Sequence, residues 1–526
     1  MQSFFGQNGT KIFFFLLLLG LGVKSYAQLE VKTSHPLANF EAGEMMYFEL
    51  TADSDGWVNY NIRFDSKTPK ISSGKILVES GVPVKIPFIA HEPGSVLCRA
   101  TKDGFSVVGG AVFSRYDVKA YEEEPDDFDE FWDGVKAELA SVPIDPQLTF
   151  LDSTNYSETY RLNLGNINNR RVYGYISIPK NIAPPYPAIL TLPPFGVIPN
   201  VTIPQPIISE WGGAISVSIN IHHAEPDMED PNSYLPNDIS DRDGIYYKQA
   251  IAGAIRAIDY IFSRDDFNGV DMGVAGLSQG GGLAVITAGV DQRVTSLTHT
   301  VSALCGHAGH RFDRPSGLPH YIRDSRGTYG TIEHEDSTLI ASKYYDGIYF
   351  AKRFNGPSLS FVSYADTISP IETIFAATNL LRENEVMKHS IPLGHNNPVD
   401  FWDVRFRFWR KVHPAMLNNP FPWTPSTTGY HADAGNDITI SSGEMANLSA
   451  SVLLNTNLLS NLDAKWMVVE GPGKVSFSDP SNYNTTASFS ADGEYIFRFV
   501  ATDTADLNAD QSFYTISDII KVTVGN

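Results

Sequence analysis

The sequence is poor in cysteine: its 526 residues include only Cys98 and Cys305. Two cysteines cannot build a disulfide framework, so a small disulfide-stabilised fold is excluded. The two lie in different predicted domains, and we therefore expect buried thiols with no bridge between them. Histidines follow Cys305 at positions 307 and 310. A fourth ligand at a metal-motif spacing is lacking, so we expect no metal and no other cofactor.

Positive charge is also scarce. The chain has 39 lysines and arginines against 60 aspartates and glutamates, a formal net charge of -21 at pH 7. So acidic a surface repels phosphate backbones, which argues against nucleic acid as a partner. A neutral sugar carries no such electrostatic penalty.

Long hydrophobic runs are missing beyond the N-terminus. The run at residues 12–22 follows Lys11 and leads to Ser25-Tyr26-Ala27, which has the small-x-small pattern of a signal-peptide cleavage site. It is shorter than the roughly 18 apolar residues that a membrane helix needs. We therefore predict a signal peptide over residues 1–27, export to the periplasm or beyond, and no membrane span.

What the chain does have is an apolar run that breaks into Gly276-Leu277-Ser278-Gln279-Gly280 and continues as a small-residue helix. Gly-x-Ser-x-Gly between a strand and a helix is typical of a nucleophile elbow, where glycines let the two elements pass closely. We predict that Ser278 is a nucleophile. The backbone N–H of Gln279, at the helix N-terminus, is predicted to donate to an oxyanion.

Two later loops supply partners in the order that such a site requires, which is serine, acid and histidine. Asp366 follows a strand-like run at 358–364, and His395 follows Gly394 soon after a run at 386–391. Taken singly, Asp366 is typical of a helix cap and His395 of a polar loop. In this order and in these local contexts they predict a catalytic triad with Ser278.

Residues from about 125 to 412 resemble the acetyl-xylan esterase and cephalosporin-C deacetylase family, which are serine carbohydrate esterases of the α/β-hydrolase fold. The landmarks that carry the resemblance are residues 127–132, 254–259 and 278–282, Asp366 with Pro370, and Gly394-His395. The resemblance implies a mostly parallel sheet flanked by helices and an acetylated oligo- or polysaccharide as substrate. It leaves a homo-oligomer open, since relatives often form ring-like hexamers, although added domains oppose that assembly.

One loop departs from the family. Where the family usually carries His-Gly-Tyr after the third strand, this chain has Pro193-Pro194-Phe195. In the family's tyrosine position Phe195 would supply the second N–H of the oxyanion hole, whereas the prolines have no N–H to offer. A second departure is the pair His222-His223. We favour a hydrogen-bonded loop there, with a contact to sugar as the alternative.

The rest of the chain divides into further segments. Residues 28–118 alternate apolar and polar positions between turns, which predicts an all-β sandwich. Residues 119–419 alternate apolar strands with helices and form the predicted α/β-hydrolase domain, in which an insertion at 306–345 is expected to cap the pocket. A proline-rich linker is predicted at 420–430.

The last segment, residues 431–526, is predicted to be an immunoglobulin-like β-sandwich. Residues 433–437, Trp466 and residues 493–503 resemble polycystic-kidney-disease-type domains, which are often appended to secreted polysaccharide enzymes. The resemblance leaves two roles open, namely attachment to a carbohydrate or surface, and a stabilising spacer.

The sequence thus predicts an exported serine esterase that removes acetyl groups from carbohydrates. A peptidase of the prolyl-oligopeptidase type shares the fold and the triad order, but no propeller repeat is visible. A non-catalytic carbohydrate-binding protein on a hydrolase scaffold is the other alternative, and the intact triad argues against it. Because every predicted catalytic group lies within 119–419, we expect that segment to be active by itself.

Overall fold

The computed structural model describes residues 29–196, 202–226, 228, 234–235, 237–321, 335–381, 385–398, 400–418, 430–454, 457–459, 462–505 and 507–525. The predicted signal peptide and all but the last residue of the predicted linker lie outside these ranges. Within them, no helix is long and apolar enough to cross a membrane.

Residues 29–113 form a β-sandwich. Its strands are β1 (Leu29–Thr33), β2 (Asn39–Phe40), β3 (Met45–Ala52), β4 (Gly56–Arg63), β5 (Ser72–Val78), β6 (Val84–Ile89), β7 (Gly94–Lys102) and β8 (Phe105–Phe113). One sheet has the order β1-β3-β6 and the other the order β2-β8-β7-β4-β5. Along β3, Met46, Phe48 and Leu50 are buried and their neighbours are not, which is the two-residue period of a strand with one face in a core.

The centre of the molecule is a large mixed sheet. The strands that the middle of the chain contributes are β9 (Gln147–Ser153), β10 (Ser157–Asn166), β11 (Arg170–Pro179), β12 (Tyr186–Leu192), β13 (Ile215–Ile219), β14 (Phe267–Leu277), β15 (Ser296–Thr300), β16 (Ser358–Ser363) and β17 (Glu385–Ser390). Six strands in the order β13-β12-β14-β15-β16-β17 are parallel, and β11, β10 and β9 extend the sheet antiparallel beyond β13. The α/β-hydrolase fold is thereby confirmed.

The two strand-like runs that precede Asp366 and His395 in the sequence are strands, β16 and β17. β15 ends at Thr300, because Val301 and Leu304 adopt positive φ angles of 39° and 58° that end the extended geometry. The carboxyl ends of β14, β16 and β17 lie at the same edge of the sheet, since these strands are parallel. Loops after these strands are therefore close together.

Helices cover the sheet. They are α1 (Phe128–Ala140), α2 (Pro206–Gly212), α3 (Tyr247–Phe262), α4 (Gln279–Val290), α5 (Glu335–Lys343), α6 (Gly347–Ala351), α7 (Ile371–Thr378), α8 (Phe401–Val412) and α9 (Leu507–Asp510). Every residue of α4 is buried, which explains why its sequence is apolar and small on all sides rather than amphipathic.

The C-terminal part adds further strands, and four of them extend the central sheet. These strands are β18 (Tyr430–Asp433), β19 (Ile438–Ile440), β20 (Ala446–Ser449), β21 (Ser451–Leu454), β22 (Asn457–Leu458), β23 (Asp463–Glu470), β24 (Val475–Phe477), β25 (Asn484–Phe489), β26 (Gly493–Asp503) and β27 (Ser512–Val524). Residues 512–517 of β27 pair antiparallel with β17, and β27 also pairs along its length with β26. The predicted domain boundaries stay a prediction, but the two parts share a continuous sheet.

The two cysteines are free and buried, as expected. Cys98 lies in β7 of the N-terminal sandwich and Cys305 follows β15 in the hydrolase part. Burial raises the pKa of the Cys98 thiol to about 12, so it stays protonated at neutral pH.

Candidate active site

Ser278 stands on a sharp turn between β14 and α4. Its φ of 58° and ψ of -120° lie outside the ordinary regions for a residue with a Cβ. The flanking glycines are required for space: a Cβ on Gly276 would lie 2.0 Å from the carbonyl oxygen of Gly280. The strand and helix therefore approach as a nucleophile elbow requires, and the serine side chain is lifted above the end of the strand.

Asp366 lies in the loop that follows β16, and it is buried. Its Oδ1 accepts the backbone N–H groups of Ile368 and Ser369, at 2.8 and 3.0 Å. These two bonds fix the carboxylate and leave Oδ2 for another donor. That donor is Nδ1 of His395, at 2.8 Å.

His395 follows β17 and joins the other two residues. Its Nε2 lies 2.7 Å from Oγ of Ser278. Because the carboxylate of Asp366 only accepts, Nδ1 donates to it and Nε2 keeps a lone pair for the serine proton. The structure therefore brings together the three residues that the sequence selected, in an arrangement that can deprotonate Ser278.

Phe195 and Gln279, the two predicted oxyanion donors, lie in segments that meet at the elbow. Phe195 is in the loop after β12, and that loop touches the elbow, because a Cβ on Gly280 would lie 2.1 Å from the carbonyl oxygen of Leu192. Gln279 is the first residue of α4. Among the described residues, neither backbone N–H has a hydrogen-bond acceptor. Both are thus available to an oxyanion.

The side chain of Gln279 ties the elbow to surrounding loops, which the sequence did not indicate. Its Oε1 accepts the hydroxyls of Tyr234 and Tyr247, at 3.1 and 2.8 Å, and its Nε2 donates to the carbonyl oxygen of Pro194 at 3.4 Å. The ring of Tyr234 also stacks on Phe195 with centroids 4.9 Å apart. The loop that carries Phe195 is therefore held by the residue next to the nucleophile.

The histidine pair is structural, as we favoured. Nε2 of His222 lies 2.8 Å from the carbonyl oxygen of Gly196, and its Nδ1 lies 2.8 Å from the hydroxyl of Tyr246. Nδ1 of His223 accepts the backbone N–H of Arg171 at 3.1 Å. His222 thus supports the Phe195 loop, and His223 supports the start of β11.

No motif marks the tyrosines of this network. Tyr234, Tyr246 and Tyr247 lie more than 30 residues before Ser278, in a sequence that is 12% aromatic.

The predicted cap is described only over 306–321 and 335–345. In it, Nε2 of His310 pairs with Asp65 of the N-terminal sandwich. In the described part of the chain, no group of three histidine, cysteine or acidic side chains could hold a metal ion.

Comparison with known families matches two parts of the chain. The sequence model of the family described as "Acetyl xylan esterase (AXE1)" matches residues 114–412, a range that contains all five predicted site residues. The model of a family described as a PKD domain matches residues 434–523. The N-terminal sandwich lies outside both matches.

Individual relatives agree with the first match. Acetyl esterase Axe7A of Xylanibacter ruminicola is 32% identical over 331 residues, which cover 60% of this chain and 73% of the relative. The structure of an acetyl xylan esterase from Paenibacillus sp. R4 has a TM-score of 0.51 and 24% identity, over 56% of this chain and 98% of that one. Acetyl xylan esterase 1 from Thermoanaerobacterium sp. JW/SL YS485 has a TM-score of 0.51 and 20% identity, over 57% and 98%. These two structural likenesses show a common fold.

Proposed function

This chain belongs to the acetyl xylan esterase family, and from that premise we propose that it hydrolyses acetyl esters of xylan-type carbohydrates through an acetyl-enzyme formed on Ser278. Membership makes it a carboxylic ester hydrolase that acts on acetylated carbohydrates. Beyond membership, we propose the catalytic roles of individual residues and the export of the protein.

In the first half of the reaction, Oγ of Ser278 attacks the acetyl carbonyl carbon while Nε2 of His395 takes the serine proton. The carbonyl oxygen becomes an oxyanion, and the backbone N–H groups of Phe195 and Gln279 donate hydrogen bonds to it. The tetrahedral intermediate then collapses. The bond to the sugar oxygen breaks, and His395 returns the proton to that oxygen, which releases a free sugar hydroxyl.

In the second half, water replaces the sugar. His395 takes a proton from the water, whose oxygen attacks the acetyl carbon of the acyl-enzyme. Collapse of this intermediate releases acetate and returns a proton from His395 to Ser278. Asp366 holds the imidazole in one tautomer and stabilises its cationic form in both halves.

The observation that carries this proposal is the chain of two hydrogen bonds from Ser278 through His395 to Asp366, at 2.7 and 2.8 Å. A binding protein does not need an aligned nucleophile and base on a strained turn. The prolyl-oligopeptidase alternative also loses support, because the described strands outside the central sheet belong to small sheets and not to propeller blades.

Export through the signal peptide is the second part of the proposal. It rests on the positive charge, the apolar run and the Ser25-Tyr26-Ala27 site in the first 27 residues. We expect the mature protein to begin at Gln28. Expression of the full chain in a bacterium, followed by fractionation and mass spectrometry of the N-terminal peptide, tests this. An uncleaved cytoplasmic protein would contradict export and would leave the esterase proposal intact.

The esterase proposal is tested by mass-spectrometric measurement of acetate released from acetylated xylo-oligosaccharides. The full chain should release acetate, and Ser278→Ala should lower turnover by on the order of 10³-fold or more, because the covalent route is lost. Ser73→Ala, a change of an exposed serine in the N-terminal sandwich, is the matched control. A folded Ser278→Ala protein with near-normal turnover contradicts the mechanism. Cleavage of proline peptides without acetate release would favour the peptidase.

A further inference from the structure

The N-terminal sandwich lies outside the family match, so its role does not follow from the family. Its turn at residues 65–68 reaches the loop that carries Asp366. The hydroxyl of Ser66 donates to the backbone carbonyl oxygen of Thr367 at 2.7 Å. Thr367 follows Asp366 directly in the chain. The sandwich therefore holds the peptide unit next to the acid.

The turn that presents Ser66 is itself fixed. Oδ1 of Asp65 accepts the backbone N–H groups of Lys67 and Thr68, both at 2.7 Å. Its Oδ2 lies 3.1 Å from Nε2 of His310, and both side chains are buried. Since a buried carboxylate is costly without partners, this pair fixes the turn on the hydrolase part.

The sandwich also contacts the chain before Asp366. Gly110 of β8 packs on the carbonyl of Tyr364, so closely that a Cβ on Gly110 would lie 1.8 Å from that oxygen. The hydroxyl of Tyr364 donates to Oδ1 of Asn39 at 2.7 Å. Tyr364 precedes Asp366 by two residues, so the acid loop is held at both ends.

Contacts continue into α7, the helix after the acid loop. The backbone N–H of Ser95 donates to Oε2 of Glu372 at 2.6 Å. Arg314 pairs with Glu372 and also donates to the carbonyl oxygen of Pro93 at 2.9 Å. These side chains are buried, so the sandwich and the hydrolase part are joined by partnered polar groups and not by a loose surface contact.

Resting on the proposed function, in which Asp366 is the catalytic acid, we propose that Ser66 is a positioning residue for Asp366 and that the N-terminal sandwich is part of the catalytic unit. The carboxylate is oriented by the N–H groups of Ile368 and Ser369, which belong to the same short loop as Thr367. A shift of the Thr367 peptide moves these donors, and with them the oxygen that faces His395. Displacements of about 1 Å in a catalytic constellation can cost up to about 10²-fold in rate.

The first test compares Ser66→Ala with Ser66→Thr, which keeps the hydroxyl, and with the control Ser73→Ala. Ser66→Ala should lower kcat by roughly tenfold with little change in KM. The factor should be the same for p-nitrophenyl acetate and for an acetylated xylo-oligosaccharide, since the change acts on the acid and not on sugar binding. Ser66→Thr should recover most of the rate. Unchanged kcat in Ser66→Ala, or a loss confined to the oligosaccharide, overturns the proposal.

The second test combines Ser66→Ala with Asp366→Asn. If Ser66 acts through Asp366, Ser66→Ala should cause no further loss once the acid is removed. An equal loss in both backgrounds overturns the positioning role. The Asp366→Asn protein alone tests the proposed function separately, because a normal rate there rejects the triad. A large loss in Asp366→Asn, together with an unchanged rate when Ser66→Ala is made in the otherwise unmodified protein, rejects only the role of Ser66.

Discussion

Nε2 of His222 lies 2.8 Å from the carbonyl oxygen of Gly196, the residue that follows the predicted oxyanion donor Phe195. Because a carbonyl oxygen only accepts, Nε2 of His222 is the donor in this hydrogen bond. Gly196 directly follows Phe195, so this hydrogen bond fixes the backbone next to the N–H group that would face the oxyanion. In the proposed site, His222 therefore holds the loop that carries the predicted donor.

From this relationship we expect His222→Phe to lower kcat by about 10- to 100-fold, because the oxyanion loop loses its anchor while the aromatic ring keeps its packing on Tyr234. His223→Phe is the matched control, since His223 bonds the backbone of Arg171 instead. Steady-state kinetics with p-nitrophenyl acetate measures both. Equal rates for the two variants would show that the loop does not need His222.

The proposed catalytic acid gives a second prediction. Asp366→Asn should fold normally and lose roughly 10³- to 10⁴-fold in turnover, because an amide favours the wrong imidazole tautomer. Asp313→Asn changes an exposed aspartate in the same way and should leave turnover unchanged. Measuring the turnover of the two variants tests the role of Asp366, and circular dichroism checks that both are folded. Retained activity in Asp366→Asn would move the acid role to another carboxylate.

Acyl-chain selectivity follows from the Phe195 loop. Pro193 and Pro194 fix their φ angles, and the Phe195 ring is stacked on Tyr234, so this loop, which we expect to border the acyl group, is stiff. One methylene group changes the binding free energy of the transition state by about 1–3 kcal/mol in a fitted site. The kcat/KM for acetyl esters should therefore be roughly tenfold or more higher than that for butyryl esters. p-Nitrophenyl acetate, butyrate and octanoate measure this after correction for intrinsic reactivity.

Phe195→Ala provides the control for that prediction. It keeps the backbone N–H but removes the ring, so the preference for acetyl over butyryl should shrink while acetyl turnover survives. Faster cleavage of octanoate by the unmodified protein would instead indicate a lipid esterase.

The shared strand predicts that the C-terminal part stabilises the hydrolase part. Phe513 of β27 stacks on the buried His389 of β17 with ring centroids 4.3 Å apart. Phe513→Ala should cost about 3–5 kcal/mol in unfolding free energy, whereas Trp57→Ala, at a site that is 53% exposed, should change it by less than about 0.5 kcal/mol. Urea unfolding measures both.

The pairing of β27 with β17 also affects the isolated segment 119–419, which we expected from the sequence to be active by itself. Without residues 512–517 the edge of β17 is unpaired, and an open edge strand promotes aggregation. We now expect that segment to aggregate and to lose most of its activity. A soluble, monomeric and fully active segment would show that neither flanking part is needed.

Acid stability gives the last prediction. Burial lowers the pKa of His299 to about 4, and its ring bonds Ser302 and Ser360. The folded state therefore resists a proton that the unfolded state accepts below about pH 6.5. The contribution of neutral His299 to the unfolding free energy is fully present above about pH 6.5. It falls by roughly 3 kcal/mol as the pH decreases towards about 4.

His299→Gln should flatten this dependence, and His91→Gln, a change of an exposed histidine, should not. Urea unfolding at pH 7 and pH 4.5 compares the variants. An equally steep loss in His299→Gln would assign the acid sensitivity to other groups.

The sequence by itself predicted the fold class, which the structure confirms, and the three residues of the proposed triad. Ser278, Asp366 and His395 each carry a local signal, namely two flanking glycines, a strand end before a helix, and a glycine before a histidine at a strand end. A parallel sheet places such strand ends at one edge, so local signals suffice to bring the three together.

Tertiary structure alone decided what supports them. Ser66 and Thr367 are 301 residues apart, His222 and Gly196 are 26 apart, and β27 reaches β17 from beyond the predicted linker. A hydrogen bond across such a separation needs only a donor and an acceptor, which almost every polar residue offers, so it leaves no pattern in the sequence. It exists because folding brings those two groups within 3 Å of each other.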